Sequence, residues 1–548
     1  MDRMGVTRRG AGRLFGAAAL ASLASRRAWA QQAEPTGVVG ATSGKIRGLR
    51  EGSISAFRGI PYGADTSGAR RFMPPVAPAS WTGVRDCFAF GHRAPQGSLG
   101  AGRVPPGVDP AVIAAVQKFM TGQMASGYES EDCLVLNVFT PDASPRRRRP
   151  VMFWLHGGGF AIGSANEPVY EGGALAKRGD VVVVTINHRL AAPGYLYLGA
   201  LDPAFALSGD VGQFDQILAL EWVRDNIAAF GGDPDNVTIF GESGGGAKVQ
   251  TLLAMPAAQG LFHKAIIQSG TAQIRGVPKG DAADFSARML KVLEIAPGDA
   301  RKAQEAPLDT LMKAAATAQN QLGPGARVLA PVTDGVALPA DPFDPVAAPT
   351  VSPKVPLIVG TNKDEATLFN IVDPKFGKMT LEDAQARFRS TLKDKGDAAF
   401  AFYRQQRPNE AGTWLFTSMV TESGAWINSI RVAERKAAQG GAPVFMYRLD
   451  YETPLFNGML RAPHGLDTPM VFNHAKEFAS MLGPGPDPVV VSEAMVDAWT
   501  AFARSGDPST HSLAWPHYEP GARNTMIFAR DSHVVSDPDR AFREFWSA

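Results

Sequence analysis

Asn236-Val237-Thr238-Ile239-Phe240-Gly241-Glu242-Ser243-Gly244-Gly245 is the stretch on which the reading of this 548-residue chain turns. From Val237 to Phe240 it is β-branched and aromatic, as suits a strand buried on both faces. It then becomes G-x-S-x-G, with apolar, helix-compatible residues from Val249 to Leu253 behind it. A strand that enters a helix through this pattern is a nucleophile elbow. The bend is so tight that the Ser backbone is strained, and only glycine at the flanking positions avoids collision. The Ser243 hydroxyl is thereby pushed outward, where a substrate reaches it.

The segments around the elbow follow one grammar. Val151-Met152-Phe153-Trp154-Leu155 and Val181-Val182-Val183-Val184-Thr185-Ile186 are continuous apolar runs, as expected of strands inside a parallel sheet. Residues 213–230 have helical spacing. Residues 355–360 and 444–447 supply two more strand candidates, with Ala-rich helical stretches such as 285–293 between them. Residues 37–40 and 45–57 read as short strands with Gly turns, an antiparallel opening. The fold class is α/β: a large, mostly parallel central sheet covered by helices on both faces, with N-terminal antiparallel strands and helical insertions. No repeat or Gly/Ser linker interrupts the chain, so residues 38–545 are expected to form one catalytic domain.

Composition excludes several classes of protein. Hydrophobic residues at 45% and charged residues at 20% rule out a disordered, collagen-like or polytopic membrane protein. Residues 1–30 hold six arginines against Asp2, so the rest of the chain is slightly acidic although the whole carries +2. That charge leaves no footprint for nucleic acid or for a basic membrane surface. The first thirty residues read as an export signal: paired Arg8-Arg9, a short apolar run from Leu14 to Ser25, and Ala28-Trp29-Ala30 before the cleavage point. The arginine pair resembles a twin-arginine signal, which exports folded proteins to the periplasm or beyond, although Gly10-Ala11-Gly12 replaces the usual Phe-Leu and leaves the general secretory route open. The apolar run is too short to span a membrane. Two cysteines, Cys87 and Cys133, exclude a thiolate-built metal site and leave either one disulfide or two buried thiols. Arg146-Arg147-Arg148-Arg149 reads as a solvated loop.

A nucleophilic Ser needs donors for its developing oxyanion. His156-Gly157-Gly158-Gly159-Phe160, directly after a strand candidate, matches the lipase and esterase HGGG pattern. Gly158, Gly159 and Gly244 are therefore the candidate oxyanion amides. The hydroxyl also needs a base and an orienting carboxylate, in the order Ser, acid, His. Among the later histidines, His464 sits in a Pro/Gly loop after a strand candidate, while His263 precedes any late acid and His474 suits a supporting or surface group. Asp364-Glu365 follow a strand candidate and Asp334 competes, though Asp-Gly is more often a turn.

With these residues in place the chain resembles the type-B carboxylesterases, the group that includes cholinesterases and bacterial para-nitrobenzyl esterases. Phe57-Arg58-Gly59-Ile60-Pro61-Tyr62 and Ser130-Glu131-Asp132-Cys133-Leu134-Val135-Leu136-Asn137-Val138 are similar to its signatures, as is Phe230-Gly231-Gly232-Asp233-Pro234 ahead of the elbow. The resemblance implies an α/β-hydrolase fold and a Ser-His-Glu triad of Ser243, His464 and Glu365. By the same resemblance Glu242 and Ser269 are buried groups that hold the acid and base. It also implies hydrolysis of small carboxylic esters through an acyl-enzyme, with no cofactor. Amide or carbamate hydrolysis by the same triad is the alternative, and a non-catalytic binding module of this fold is disfavoured because all three triad residues are present. Gly244 departs from the family's usual Ala, and Cys87 is displaced from the family's usual partner of Cys133, so that disulfide does not carry over. Phe160, Phe369, Phe416 and Met419 are candidate pocket walls.

Overall fold

The computed structural model describes residues 34–96, 127–272, 274–323, 326–344 and 347–548, with a few positions between 107 and 116. The leader read at residues 1–30 lies outside the described residues.

Among the described residues twelve strands form the main sheet: β1 (Glu34–Pro35), β2 (Leu49–Glu51), β3 (Ile54–Pro61), β4 (Val135–Thr140), β5 (Arg149–Leu155), β6 (Val182–Ile186), β7 (Gly232–Glu242), β8 (Lys264–Gln268), β9 (Leu357–Asn362), β10 (Val444–Leu449), β11 (Asn524–Phe528) and β12 (His533–Ser536). Their spatial order is β1-β2-β3-β4-β6-β5-β7-β8-β9-β10-β11-β12. From β6 to β11 every neighbouring pair is parallel, and the pairs at either end are antiparallel. The four helices that matter most below are α1 (Val211–Asn226), α2 (Gly244–Ala254), α3 (Ile427–Ala438) and α4 (Asp487–Ser505).

The continuous apolar runs have their expected cause. On β5, Val151, Phe153 and Leu155 enter one hydrophobic layer while Met152 and Trp154 enter the other, and Val182, Val184 and Val183 of β6 divide the same way. α1 and α2 pack on the first layer and α4 on the second. With both faces covered, period-two alternation disappears, and each buried Val, Leu or Phe contributes roughly 1.5–3 kcal/mol.

Three elements escape the pattern read from sequence. Strand β8 has only Ala265, Ile266 and Ile267 between polar ends, and β11 and β12 fall in what reads as a tail. A helical insertion runs through Leu381–Leu392, Gly396–Gln406, Gly412–Thr421 and α3. Of the two states open to the cysteines, the structure has the thiols: Cys87 and Cys133 are buried and free. Burial raises both pKa values, that of Cys87 to about 11. The basic run is not simply solvated, because Arg148 pairs with Asp233 and Asp235 and the buried Arg149 with Asp180.

Candidate active site

The parallel strands β5, β7, β8, β9 and β10 all deliver chemistry beyond their C-terminal ends, the edge of an open α/β sheet where ligands bind. β7 ends at Glu242, α2 begins at Gly244, and Ser243 between them has φ 56° and ψ −123°. For a residue with a Cβ this costs about 1–3 kcal/mol. The Ser243 N–H donates to Gln268 O at 2.9 Å and its carbonyl accepts from Ala247 N at 3.1 Å, so the strained bend is fastened from both sides.

Glu365 lies three residues past β9. Its Oε1 accepts from the backbone N–H of Asn362 at 2.8 Å and from the Ser269 hydroxyl at 2.5 Å, and its Oε2 lies 2.5 Å from His464 Nδ1. The carboxylate is thus fixed on one oxygen and oriented toward the imidazole with the other. The loop that brings His464 in after β10 is laced to the acid loop. Asn362 Nδ2 donates to Pro463 O at 2.7 Å, Asp364 N to Ala462 O at 3.0 Å, and Thr367 Oγ1 to Leu460 O at 2.7 Å. Asp364 therefore holds the histidine loop, and Glu365 is the carboxylate that meets the ring. Asp334 spends one oxygen on the N–H groups of Val336 and Leu338, a local turn. His474 bonds to Glu171 O, and His263 accepts from Val237 N.

On its other side the imidazole presents Nε2, 3.2 Å from Glu242 Oε1. Among the described residues Ser243 Oγ has no hydrogen bond to His464, so the structure brings His464 and Glu365 together and leaves the Ser243-to-His464 link unmade. Such links are often long in unliganded enzymes and tighten around substrate. The electrostatics are coupled. Burial works against the imidazolium, but Glu242 and Glu365 outweigh it and carry the His464 pKa up to about 9. Burial pushes the Glu242 carboxyl up to about 8. Two groups this close titrate as a pair.

The glycine loop after β5 faces the elbow. Gly158 has φ +85°, and a Cβ there would stand 2.3 Å from Ile162 O, so the position admits glycine alone. Gly158 and Gly159 lie outside any strand or helix, and their N–H groups have no backbone acceptor among the described residues. The Gly244 N–H opens α2 and so has no partner within the helix. The Gly244 departure acquires a steric reason: a methyl there would stand 2.4 Å from Gly159 N and 2.3 Å from its O. The two candidate amide segments are in contact. Phe369, 60% exposed, sets its ring 5.0 Å from that of His464 and lines the rim, and Phe160 follows the glycine loop. Met419 is core and Phe416 packs against the core.

Sequence reasoning missed Asn362, Thr367 and above all Lys248, whose Nζ donates to His156 O at 2.9 Å and Gly159 O at 2.8 Å while the residue is wholly buried. The one signal for Lys248 is a charged residue four positions after Gly244, on the same face of α2.

The carboxylesterase family model matches residues 35–546. The para-nitrobenzyl esterase of Bacillus subtilis is 36% identical over 509 residues, 91% of this chain and 96% of that protein. The phenmedipham hydrolase of Pseudarthrobacter oxydans is 30% identical over 90% of this chain and 97% of its own. Among solved structures, a carboxylesterase of Geobacillus stearothermophilus superposes with a TM-score of 0.79 at 36% identity, covering 93% of this chain and 100% of its own. Fold and relatives agree, and the chain belongs to the carboxylesterase family, with the α/β-hydrolase fold and the activity of a serine carboxylic ester hydrolase.

Proposed function

We propose that ester cleavage runs through Ser243 as nucleophile, His464 as base and then acid, and Glu365 as the carboxylate that sets the imidazole, with the N–H groups of Gly158, Gly159 and Gly244 receiving the oxyanion. The contact that carries this reading is the one between His464 Nδ1 and Glu365 Oε2, placed beside the elbow. Donation of Nδ1–H to the carboxylate leaves Nε2 as the basic nitrogen. Nε2 takes the Ser243 proton as Oγ attacks the ester carbonyl, and the backbone amides stabilise the negative oxygen. The imidazolium returns its proton to the leaving alcohol. Water, deprotonated by the same nitrogen, then releases the acid from Ser243. The substrate is a small carboxylic ester, and no cofactor enters any step.

An aryl fluorophosphonate tests the assignment directly. Ser243 Oγ forms the P–O bond, fluoride leaves with the electron pair of the P–F bond, and the hydroxyl proton goes to His464. Peptide mass spectrometry is expected to find one adduct, on Ser243; an adduct on another residue overturns the assignment.

The pH profile gives an independent check. Because the neutral imidazole is the active form and the neighbouring carboxyl groups favour its protonated form, kcat/KM is expected to rise with pH along a limb centred above the ordinary imidazole range. Glu242→Gln removes the negative charge that faces Nε2. A lost anion makes the imidazolium less stable, so the limb moves to lower pH by about one pH unit. A limb that does not move separates Glu242 from the base.

We also infer that the leader directs export, on the strength of its paired arginines, apolar run and Ala28-Trp29-Ala30. Terminal sequencing of the exported protein is expected to begin at Gln31, and an exported chain that keeps Met1 rejects the cleavage.

A further inference from the structure

The first turn of α2 touches the glycine loop along one face. Gly244, Gly245 and Lys248 lie on that face: a methyl at Gly244 would meet Gly159, one at Gly245 would stand 1.9 Å from Leu155 O, and Lys248 reaches the loop with hydrogen bonds. The two carbonyls that Lys248 binds, His156 O and Gly159 O, bracket Gly157 and Gly158. We infer that Lys248 is a positioning residue for ester hydrolysis: it staples both ends of the glycine loop onto the bare surface at Gly244 and so fixes the direction of the amides that receive the oxyanion.

The surroundings favour this role over a solvating one. Lys248 is wholly buried, and its Nζ lies 5.5 Å from the centre of the Phe160 ring. The ionisable groups around it are Glu167 and Glu242, both buried, and the stacked imidazoles of His156 and His188, 4.7 Å apart. Burial lowers the pKa of both imidazoles, that of His156 to about 3, so they remain neutral. A buried lysine without acceptors is costly, and here two carbonyls supply them. Ammonium and neutral amine both carry at least two N–H bonds, so the staple exists in either state. Lys248 touches no reacting atom. Its effect is on where Gly158 and Gly159 aim.

This inference rests on the Ser243 mechanism, so its test is read only on an enzyme that hydrolyses esters. Lys248→Met keeps the length and removes both donors. On a short-chain nitrophenyl ester its kcat is expected to fall about 10- to 100-fold with KM nearly unchanged, somewhat less than the loss of a whole oxyanion donor. Inhibition by an aryl trifluoromethyl ketone provides the second readout. Ser243 adds across its carbonyl, the hydroxyl proton passes to His464, and the new C–O⁻ occupies the amide pocket, so affinity is expected to weaken by the same factor as kcat/KM. A Lys248→Met enzyme with the parent kcat overturns the staple. So does a fall in kcat with unchanged ketone affinity. If Lys248→Met does not fold, Gly244→Ala pushes the same loop away from the face of α2 to which Lys248 draws it, and parent values of kcat and ketone affinity in that variant overturn the proposal.

Discussion

Ser243→Ala is expected to lower kcat on a short-chain nitrophenyl ester about a million-fold, to the level that binding and the backbone amides sustain without a nucleophile. The loss is this large because no neighbouring group substitutes: Glu242 and Gly244 flank a single hydroxyl at the bend. Stability should hardly change. Ala keeps the Cβ and therefore the strain at φ 56°, and the backbone links to Gln268 and Ala247 are untouched, so unfolding free energy is expected within about 0.5 kcal/mol of the parent. Chemical denaturation alongside the kinetics separates the two effects. Turnover within a hundred-fold of the parent, in a protein free of wild-type contamination, moves the nucleophile elsewhere.

Glu365→Gln is expected to be the next most damaging change, lowering kcat about ten-thousand-fold with little change in KM. The reason lies in how the carboxylate is held. Its Oε1 accepts from Asn362 N–H and the Ser269 hydroxyl, while Oε2 faces His464 Nδ1. A Gln side chain offers one oxygen and one NH2. The oxygen belongs where the backbone N–H of Asn362 points, since an NH2 there would oppose a fixed donor. The NH2 is then left facing Nδ1, which must accept rather than donate. That fixes the tautomer with hydrogen on Nε2, which cannot take the serine proton. Glu365→Asp keeps the charge but withdraws it by one methylene, so it should lose less. A Gln variant that loses under ten-fold removes Glu365 from the triad.

The parts of this molecule visible in the sequence are those whose causes are local. The bend at Ser243 demands glycine nearby and a buried strand before it, so Val237 to Ser243 displayed both in one window. The Gly158 conformation likewise forces its own residue type. His464 and Glu365 were narrowed by chain order but not isolated by it; Asp364 and Asp334 stayed open until the resemblance favoured Glu365, and only the folded loops show why Asp364 turns to Ala462 instead. Lys248 was invisible for the opposite reason. Nothing within α2 tells a lysine to point inward, because its acceptors belong to a loop some ninety residues earlier. Strand β8 was lost to its length, with three apolar residues too few to distinguish it from a helix fragment.

Both sulfhydryl groups of this chain are sealed in the interior, and neither takes part in a covalent crosslink. Maturation therefore contains no oxidation step, and the native state is attainable in a reducing compartment as readily as in an oxidising one. If residues 1–30 act as the export leader proposed above, that chemistry removes one reason to postpone folding until after translocation.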